Sequence, residues 1–211
     1  MVRLHPRHPD PQAPHAGAAG LPRHPGQLST LVLGGTRSGK SAYAEHLLPD
    51  APAVYVATAR PVDPHADPEW ADRIAVHRRR RPAVWETVED TDGFATAGVV
   101  RSRPGPVLVD DLATWVTGLL DDAGWERDAA SVEAARTELV AAVGARTGPL
   151  VLVSAEVGLG VVPSTSAGRR FRDELGLLNA DLAAVCDEVV LLVAGLPLPL
   201  KVASGSDSVA P

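Results

Sequence analysis

Eight consecutive residues, from Gly34 to Ser41, have the types and spacing best suited to chemistry. Their sequence, Gly-Gly-Thr-Arg-Ser-Gly-Lys-Ser, matches the pattern of a phosphate-binding loop. The glycines let backbone N–H groups turn inward around a phosphate, and a following helix presents its positive N-terminal end to the same anion. Lys40 would reach the outer phosphates and would be catalytic, while the Ser41 hydroxyl would bind Mg²⁺. The predicted nucleotide-binding residues of this loop are Gly34, Gly35, Thr36, Arg37, Ser38, Gly39, Lys40 and Ser41.

A second group of candidates begins at His77, which directly precedes four consecutive arginines, Arg78 to Arg81. A helix predicted over 69–80 would place His77 on the same face as Trp70 and Ile74. Two interpretations stay open on these residues: a solvated basic helix end beside a packed histidine, or an anion site with a reactive histidine. Because nearby cations disfavour imidazolium, the second interpretation leaves His77 neutral and able to act as a nucleophile or base.

The elements that position these groups follow from the apolar pattern. Helices are predicted over 42–48, 69–80, 112–120, 129–146 and 171–185, and the apolar stripe is clearest in the last two. Apolar runs predict strands over 31–33, 53–58, 83–88 (with Trp85 inside it), 106–111, 150–154 and 188–194, and a shorter one over 198–202. Segment 156–163 predicts a loop close to the site, because it contains two glycines and a proline.

Continuous apolar strands that alternate with helices indicate an α/β fold, with a mostly parallel sheet and helices on both faces. Together with the loop, this predicts a phosphate-loop NTPase fold of the RecA-like type, with nucleotide at the carboxyl ends of the strands. Asp110 lies near the end of one such strand, where a carboxylate can reach the Mg²⁺ of the nucleotide. Ser41 and Asp110 are therefore the predicted metal ligands.

Composition limits the partners and the compartment. The formal charge of −6 and the pI near 5.6 predict no general attraction to nucleic acid, and no apolar run reaches the roughly 18–20 residues of a membrane span. Cys186 is the single cysteine, which excludes a disulfide within the chain and favours a cytoplasmic location. We predict one catalytic domain over 29–202, a disordered Pro/His-rich tail over 1–28 and a flexible tail over 203–211.

These motifs resemble the bifunctional adenosylcobinamide kinase and adenosylcobinamide-phosphate guanylyltransferase family of cobalamin biosynthesis. The resemblance covers about residues 30–201 in order. Its most specific parts are the string from His77 to Glu89, with Arg81-Pro82, Trp85 and Thr87, and the string from Glu156 to Pro163. The family commonly has an asparagine before Glu-Val-Gly, where this chain has Ala155, so one polar contact near the substrate is missing.

The resemblance implies two reactions. ATP or GTP would phosphorylate the hydroxyl of adenosylcobinamide, and His77 would then take GMP from GTP and pass it to adenosylcobinamide phosphate, giving adenosylcobinamide-GDP. It also implies bound Mg²⁺ and a homotrimer, and leaves open which triphosphate the kinase step prefers. The further nucleotide contacts that it implies are Thr58, Ala59, Arg60, Arg78, Arg79, Arg80, Arg81, Glu89 and Asp110.

Two alternatives remain on the sequence. A plain phosphate-loop kinase of a small hydroxyl compound would carry His77 only as a packed side chain. A nucleotide-switched binding protein would change its affinity for a partner and modify no small molecule.

Overall fold

The computed structural model describes residues 29–48, 51–60, 68–90, 93–125 and 129–203. Within the helix Pro68–Arg80, it does not describe the side chains at positions 69, 70, 73, 76, 77 and 80. The tails predicted over 1–28 and 203–211 lie outside these ranges, except for residue 203. The division into one domain and two tails therefore stays a prediction.

Among the described residues, seven strands form one sheet in the order β3-β2-β4-β5-β1-β6-β7. Neighbouring strands are parallel, except that β7 runs antiparallel to β6. The mostly parallel sheet is therefore confirmed. The strands are β1 (Ser29–Gly34), β2 (Val54–Ala57), β3 (Glu86–Glu89), β4 (Val107–Asp110), β5 (Leu150–Ala155), β6 (Glu188–Val193) and β7 (Leu196–Lys201).

Helices pack on both faces of this sheet, as predicted. They are α1 (Lys40–Leu47), α2 (Pro68–Arg80), α3 (Ala95–Ser102), α4 (Leu112–Asp122), α5 (Ala129–Gly144) and α6 (Ser166–Val185). Residues from α3 to α6 share one core with alternate strand residues such as Leu31 and Val109. Residues of α1 share a second core with their neighbours Val32 and Leu108. Both faces of the central strands are thus buried, which explains why those strands appear as continuous apolar runs.

The strand predicted over 83–88 is wrong in its position. The observed strand β3 begins at Glu86, and Trp85 lies in the turn before it, where its backbone N–H donates to the carbonyl of Pro82 at 3.0 Å. Most β3 side chains are exposed, because β3 is an edge strand of the sheet. With neither face fully buried, the apolar pattern could not fix where this strand starts.

Helix α3 has no counterpart among the predicted helices. Its N-terminal end is held by the buried carboxylate of Asp90, whose Oδ1 accepts from the Gly93 N–H at 2.8 Å. Oδ2 of Asp90 accepts from the Thr96 N–H at 2.9 Å and also from the Thr96 hydroxyl. The helix has only eight residues and packs against α5, so its stability comes from tertiary contacts more than from local propensity.

Lys201, one of only two lysines in the chain, ends β7 beneath the C-terminal end of α6. Its ammonium group donates to the carbonyls of Ala183 at 3.1 Å, Ala184 at 3.0 Å and Cys186 at 2.5 Å. These carbonyls belong to the last turn of a helix and to its cap, where the helix dipole is negative. The three donors of a compact ammonium group therefore stabilise the junction between α6 and the edge of the sheet.

We expect Lys201→Met to lower the free energy of unfolding by about 1–2 kcal/mol, because the carbonyls lose a charged donor. Urea unfolding at neutral pH measures this loss. Arg101→Met is the control, since it removes only an exposed ion pair with Glu138 at 3.3 Å and should cost less. Equal losses in the two variants would contradict a capping role for Lys201.

Candidate active site

The loop between β1 and α1 has the backbone geometry of an anion site. Gly39 adopts φ +89°, a left-handed conformation that favours glycine, and it is the N-cap residue of α1. Among the described side chains none caps this helix, whereas Asp111 caps α4 and Thr165 caps α6. The first N–H groups of α1 are therefore available to a phosphate.

Gly34 is required by close packing. A Cβ at this position would clash with the Ser38 hydroxyl and would lie 3.1 Å from the Leu192 carbonyl oxygen. The loop is also tied to the next strand of the sheet, because the Glu156 N–H donates to the Gly34 carbonyl at 3.1 Å. Segment 156–163 thus leaves the sheet beside the phosphate loop, as predicted.

Ser41 and Asp110 come together at the carboxyl ends of β1 and β4, although 69 positions separate them in sequence. The Ser41 hydroxyl donates to Oδ1 of Asp110 at 3.2 Å. The two groups offer oxygen ligands, and a triphosphate and water would complete the octahedral shell that Mg²⁺ requires. This donor set fits the predicted metal.

No three His, Cys, Asp or Glu side chains within the described ranges cluster as a self-sufficient metal site. Mg²⁺ at a nucleotide needs only one or two protein ligands, so such a cluster is unnecessary here.

The other oxygen of Asp110 is held by Tyr55. The Tyr55 hydroxyl donates to Oδ2 at 2.7 Å, and the tyrosine is only 1% exposed. Burial, and then the negative charge of Asp110, raise the pKa of Tyr55 far above its usual value. The phenol therefore remains protonated and acts as a hydrogen-bond donor at any physiological pH.

Arg81 and Trp85 surround the same tyrosine. The guanidinium carbon of Arg81 lies 3.7 Å from the centroid of the Tyr55 ring, a cation–π contact. The Trp85 ring stacks beside it, with centroids 6.5 Å apart and planes inclined by 30°. Through these contacts, the segment that follows α2 is fixed to the floor of the site.

A pocket of about 370 Å³ lies over these groups. The phosphate loop forms one wall. Another is formed by α2, β3 and the turn between them, through Ile74, Arg78, Arg81 and Glu89. Arg78 and Glu89 make an ion pair with each other. The two parts of the chain that the sequence marks for phosphate chemistry therefore face one cavity.

Eleven of the predicted site residues line this pocket, namely Thr36, Arg37, Ser38, Gly39, Lys40, Ser41, Ala59, Arg78, Arg81, Glu89 and Asp110. Five others are described but are not among the lining residues, namely Gly34, Gly35, Thr58, Arg60 and Arg79. His77 and Arg80 lie on α2, and their side chains fall outside the described part of the chain. The same holds for Trp70, so the predicted shared face of Trp70, Ile74 and His77 stays a prediction.

Thr58 and Arg60 make contacts to α4 instead. The Thr58 hydroxyl lies 2.6 Å from the Asp111 carbonyl oxygen and 2.6 Å from the Thr114 hydroxyl. Arg60 forms a two-bonded ion pair with Asp122; this hydrogen bonding raises the pKa of Arg60 and lowers the pKa of the Asp122 carboxyl. In this structure both residues fix the end of β2 to α4.

Several lining residues were not predicted, and Tyr55 is the most informative of those near the site. A hydroxyl inside an otherwise apolar strand is a usable signal, because a buried phenol usually finds a hydrogen-bond partner. The partner itself could not be read from the sequence. Ala113, Thr114, Val157 and Phe171 also line the pocket and carry no comparable signal.

No helix among the described residues is long and apolar enough to cross a membrane.

Fold and site together define a phosphate-loop nucleotide-binding protein, with the loop, the hydrogen-bonded pair of Ser41 and Asp110, and basic side chains around one pocket. The family described as "Cobinamide kinase / cobinamide phosphate guanyltransferase" (CobU) matches residues 30–200. The chain belongs to this family of enzymes, and the resemblance drawn from its motifs is confirmed.

Curated relatives agree with this assignment. The bifunctional adenosylcobalamin biosynthesis protein CobP of Pseudomonas aeruginosa is 42% identical over 82% of this chain and 98% of its own length. Proteins of the same description named CobU, from Salmonella typhimurium and Escherichia coli, are 40% and 38% identical over 82% of this chain and 100% of their lengths. Among solved structures, the flagellar accessory protein FlaH of Methanocaldococcus jannaschii is 12% identical, with a TM-score of 0.44 over 85% of this chain and 80% of that one. Nothing in these comparisons supports the plain kinase or the nucleotide switch.

Proposed function

We propose that this protein phosphorylates adenosylcobinamide and then transfers GMP from GTP to the product, giving adenosylcobinamide-GDP. The observation that carries the proposal is that the phosphate loop and the residues Ile74 and Arg78, which flank His77 in the sequence, line one pocket. A plain kinase needs only the wall of the pocket that the phosphate loop forms. The second wall supplies basic groups from a segment whose sequence is specific to the family.

In the kinase step, the acceptor hydroxyl oxygen would attack the γ-phosphorus of ATP or GTP, and the nucleoside diphosphate would leave. Lys40 and the uncapped N-terminal end of α1 would neutralise the charge that builds on the phosphate oxygens. Ser41 and Asp110 would hold Mg²⁺, which supplies further positive charge to the phosphates when it is bound. Catalysis would rest on positioning and electrostatics, as is usual for phosphoryl transfer.

In the transferase step, neutral His77 would attack the α-phosphorus of GTP. Pyrophosphate would leave, and the imidazole would carry GMP through a phosphorus–nitrogen bond. A phosphate oxygen of adenosylcobinamide phosphate would then attack the same phosphorus and release the imidazole. Position 77 precedes Arg78 and follows Ile74 by three residues on α2, and both of those neighbours line the pocket.

The other proposed nucleotide contacts fall into two groups, those that line the pocket and those that do not. Ala59, Arg78, Arg81 and Glu89 line the pocket, so they can touch a nucleotide directly. Arg78 and Glu89 would act as a pair, because each is already bonded to the other. The remaining predicted residues would either contact the nucleotide outside this pocket or hold neighbouring backbone in place. They are Thr58, Arg60, Arg79 and Arg80.

The acceptor would approach from the side of segment 156–163. Ala155 and Val157 line the pocket, and the following residues Leu159 and Val161 are 84% and 95% exposed. Exposed apolar side chains beside a polar pocket suit a bulky ligand with apolar surface. Ala155 offers no side-chain hydrogen bond at this edge, so acceptor binding here would depend on shape and apolar contact.

We also propose a homo-oligomer, a trimer by family resemblance, in the cytoplasm. Leu196, Leu198 and Leu200 alternate along the edge strand β7 and are all more than half exposed, as expected of a surface covered in an assembly.

The proposed cytoplasmic location is consistent with the single cysteine. Cys186 is a buried free thiol, and burial raises its pKa to about 12, so it stays an unreactive thiol in a reducing compartment.

A product assay tests the proposed function. With adenosylcobinamide, Mg²⁺ and ATP or GTP, we expect a phosphorylated corrinoid, and with GTP also adenosylcobinamide-GDP, both resolved by liquid chromatography and mass spectrometry. Reactions with each triphosphate alone measure acceptor-independent hydrolysis. A phosphorylated corrinoid that never gains GMP would favour the plain kinase. Hydrolysis that ignores the corrinoid would favour the nucleotide switch.

A further inference from the structure

We propose that Tyr55 is a positioning residue for the metal site: its hydroxyl fixes the rotation of the Asp110 carboxylate so that Oδ1 faces Ser41. The inference rests on the proposed role of Ser41 and Asp110 in holding Mg²⁺. It assigns to Tyr55 a function that acts through another residue and requires no contact with the nucleotide.

The geometry of the carboxylate carries the first step. Oδ2 of Asp110 accepts from the Tyr55 hydroxyl at 2.7 Å, while Oδ1 accepts from the Ser41 hydroxyl at 3.2 Å. Rotation of a carboxylate about its last bond is soft, because that torsion joins a tetrahedral and a planar carbon. A fixed donor on one oxygen therefore determines where the other oxygen points.

The sheet fixes the donor. Strands β2 and β4 are neighbours, with Tyr55 opposite Leu108 and Ala57 opposite Asp110. Tyr55 and Asp110 are thus diagonal neighbours on one face of a parallel pair, a distance that a long aromatic side chain can span. The tyrosine side chain has little freedom to leave, because it is 1% exposed and packed in the core that includes Val153 and Leu192.

The ring is also covered from the pocket side. The Arg81 guanidinium lies over its face at 3.7 Å, and the Trp85 ring stacks beside it. Arg81 also hydrogen-bonds to the hydroxyl oxygen, while the hydroxyl proton is donated to Asp110. Removing the hydroxyl while keeping the ring therefore separates the proposed positioning role from packing.

Tyr55→Phe makes that separation. We expect it to weaken Mn²⁺ binding in the presence of a non-hydrolysable GTP analogue by about tenfold to a hundredfold, as is typical when a residue behind a metal ligand is lost. Electron paramagnetic resonance of free Mn²⁺ measures this at equilibrium without any turnover. Binding of the same analogue in excess chelator should stay within about twofold of wild type, because the metal-free contacts are unchanged.

Tyr43→Phe is the matched control. Tyr43 is a second tyrosine of the same core, 8% exposed, and its hydroxyl has no hydrogen-bond partner among the described residues. We expect its Mn²⁺ affinity to equal that of wild type. Unchanged Mn²⁺ affinity in Tyr55→Phe would overturn the inference, and so would an equal loss of analogue binding with and without metal, which would indicate a structural role.

Asp110→Asn separates this inference from the proposed function. If Asp110→Asn weakens Mn²⁺ binding and Tyr55→Phe does not, only the role of Tyr55 fails. If Asp110→Asn also binds Mn²⁺ as wild type does, the proposed metal site itself fails. If Tyr55 acts through Asp110, adding Tyr55→Phe to Asp110→Asn should cause no further loss of Mn²⁺ affinity. Additive losses of Mn²⁺ affinity in the double variant would contradict the inference.

Discussion

His77→Ala is expected to abolish covalent labelling of the protein by GTP. Wild-type protein incubated with Mg²⁺ and GTP labelled at the α-phosphorus should retain label after denaturation, through a bond that acid cleaves and base does not. Alanine removes the nucleophile, and loss of a nucleophile typically lowers the rate by about a millionfold, so the retained label should fall to background. Scintillation counting of the denatured, washed protein measures the effect.

The matched control for this variant is His46→Ala. His46 lies on α1 near the phosphate loop, where its Nδ1 is 2.6 Å from the Ala42 carbonyl oxygen, and we expect this variant to label normally. His77→Ala should still phosphorylate adenosylcobinamide, because the kinase step uses the phosphate loop and no covalent nucleotide. Persistent α-label on His77→Ala would rule out His77 as the carrier of GMP.

Lys40→Ala is expected to slow both reactions, in contrast to His77→Ala. Its ammonium group would lie against the outer phosphates, and removal of one preorganised donor of positive charge typically costs about a hundred- to a thousandfold in kcat. Both formation of phosphorylated corrinoid and the rate of α-labelling should fall by this amount. Rapid-quench measurement of the two rates, with the same enzyme stock, tests the prediction.

Two further lysine variants sharpen the result. Lys40→Arg should recover little of the lost rate, because a planar guanidinium fork cannot replace a compact charge beneath a phosphate. Lys201→Met removes the other lysine, whose ammonium group binds carbonyls at the C-terminal end of α6. It should leave both rates unchanged under conditions where the protein is folded. A kinase rate in Lys40→Ala close to wild type would contradict the assignment of Lys40 to the phosphates.

Together these variants distinguish a shared pocket from two separate sites. A single pocket predicts that Lys40 affects both steps while His77 affects one. That pattern follows from the two walls of the cavity, one formed by the phosphate loop and one by α2, β3 and the turn between them.

Much of the fold followed from the sequence because its signals are local. The phosphate loop is eight adjacent residues whose glycines and lysine act through their own backbone and charge. The buried strands were predictable because burial on both faces leaves a continuous apolar run, as in β1 and β5. Long helices such as α5 and α6 were predictable because an apolar stripe repeats over several turns.

The wrong or missing predictions concern elements whose position depends on residues distant in the sequence or on weak apolar patterns. Strand β3 is a mostly exposed edge strand, so nothing in its composition marked its start, and Trp85 was assigned to it although Trp85 closes a turn. Helix α3 depends on the Asp90 carboxylate and on packing against α5. Helix α6 begins at Ser166, five residues before the predicted start, because Thr165 caps it through the Gly168 N–H at 3.1 Å.

The sequence by itself determined that a phosphate loop, a strand with a terminal acid and a basic segment with a histidine occur in one α/β chain. Only the tertiary structure decided how they meet. It inserts β5 between β1 and β4, brings Ser41 to Asp110, and sets the Tyr55 hydroxyl behind that carboxylate. Strand order and diagonal contacts across parallel strands depend on crossover connections and on packing between residues 55 to 69 positions apart, which no local pattern encodes.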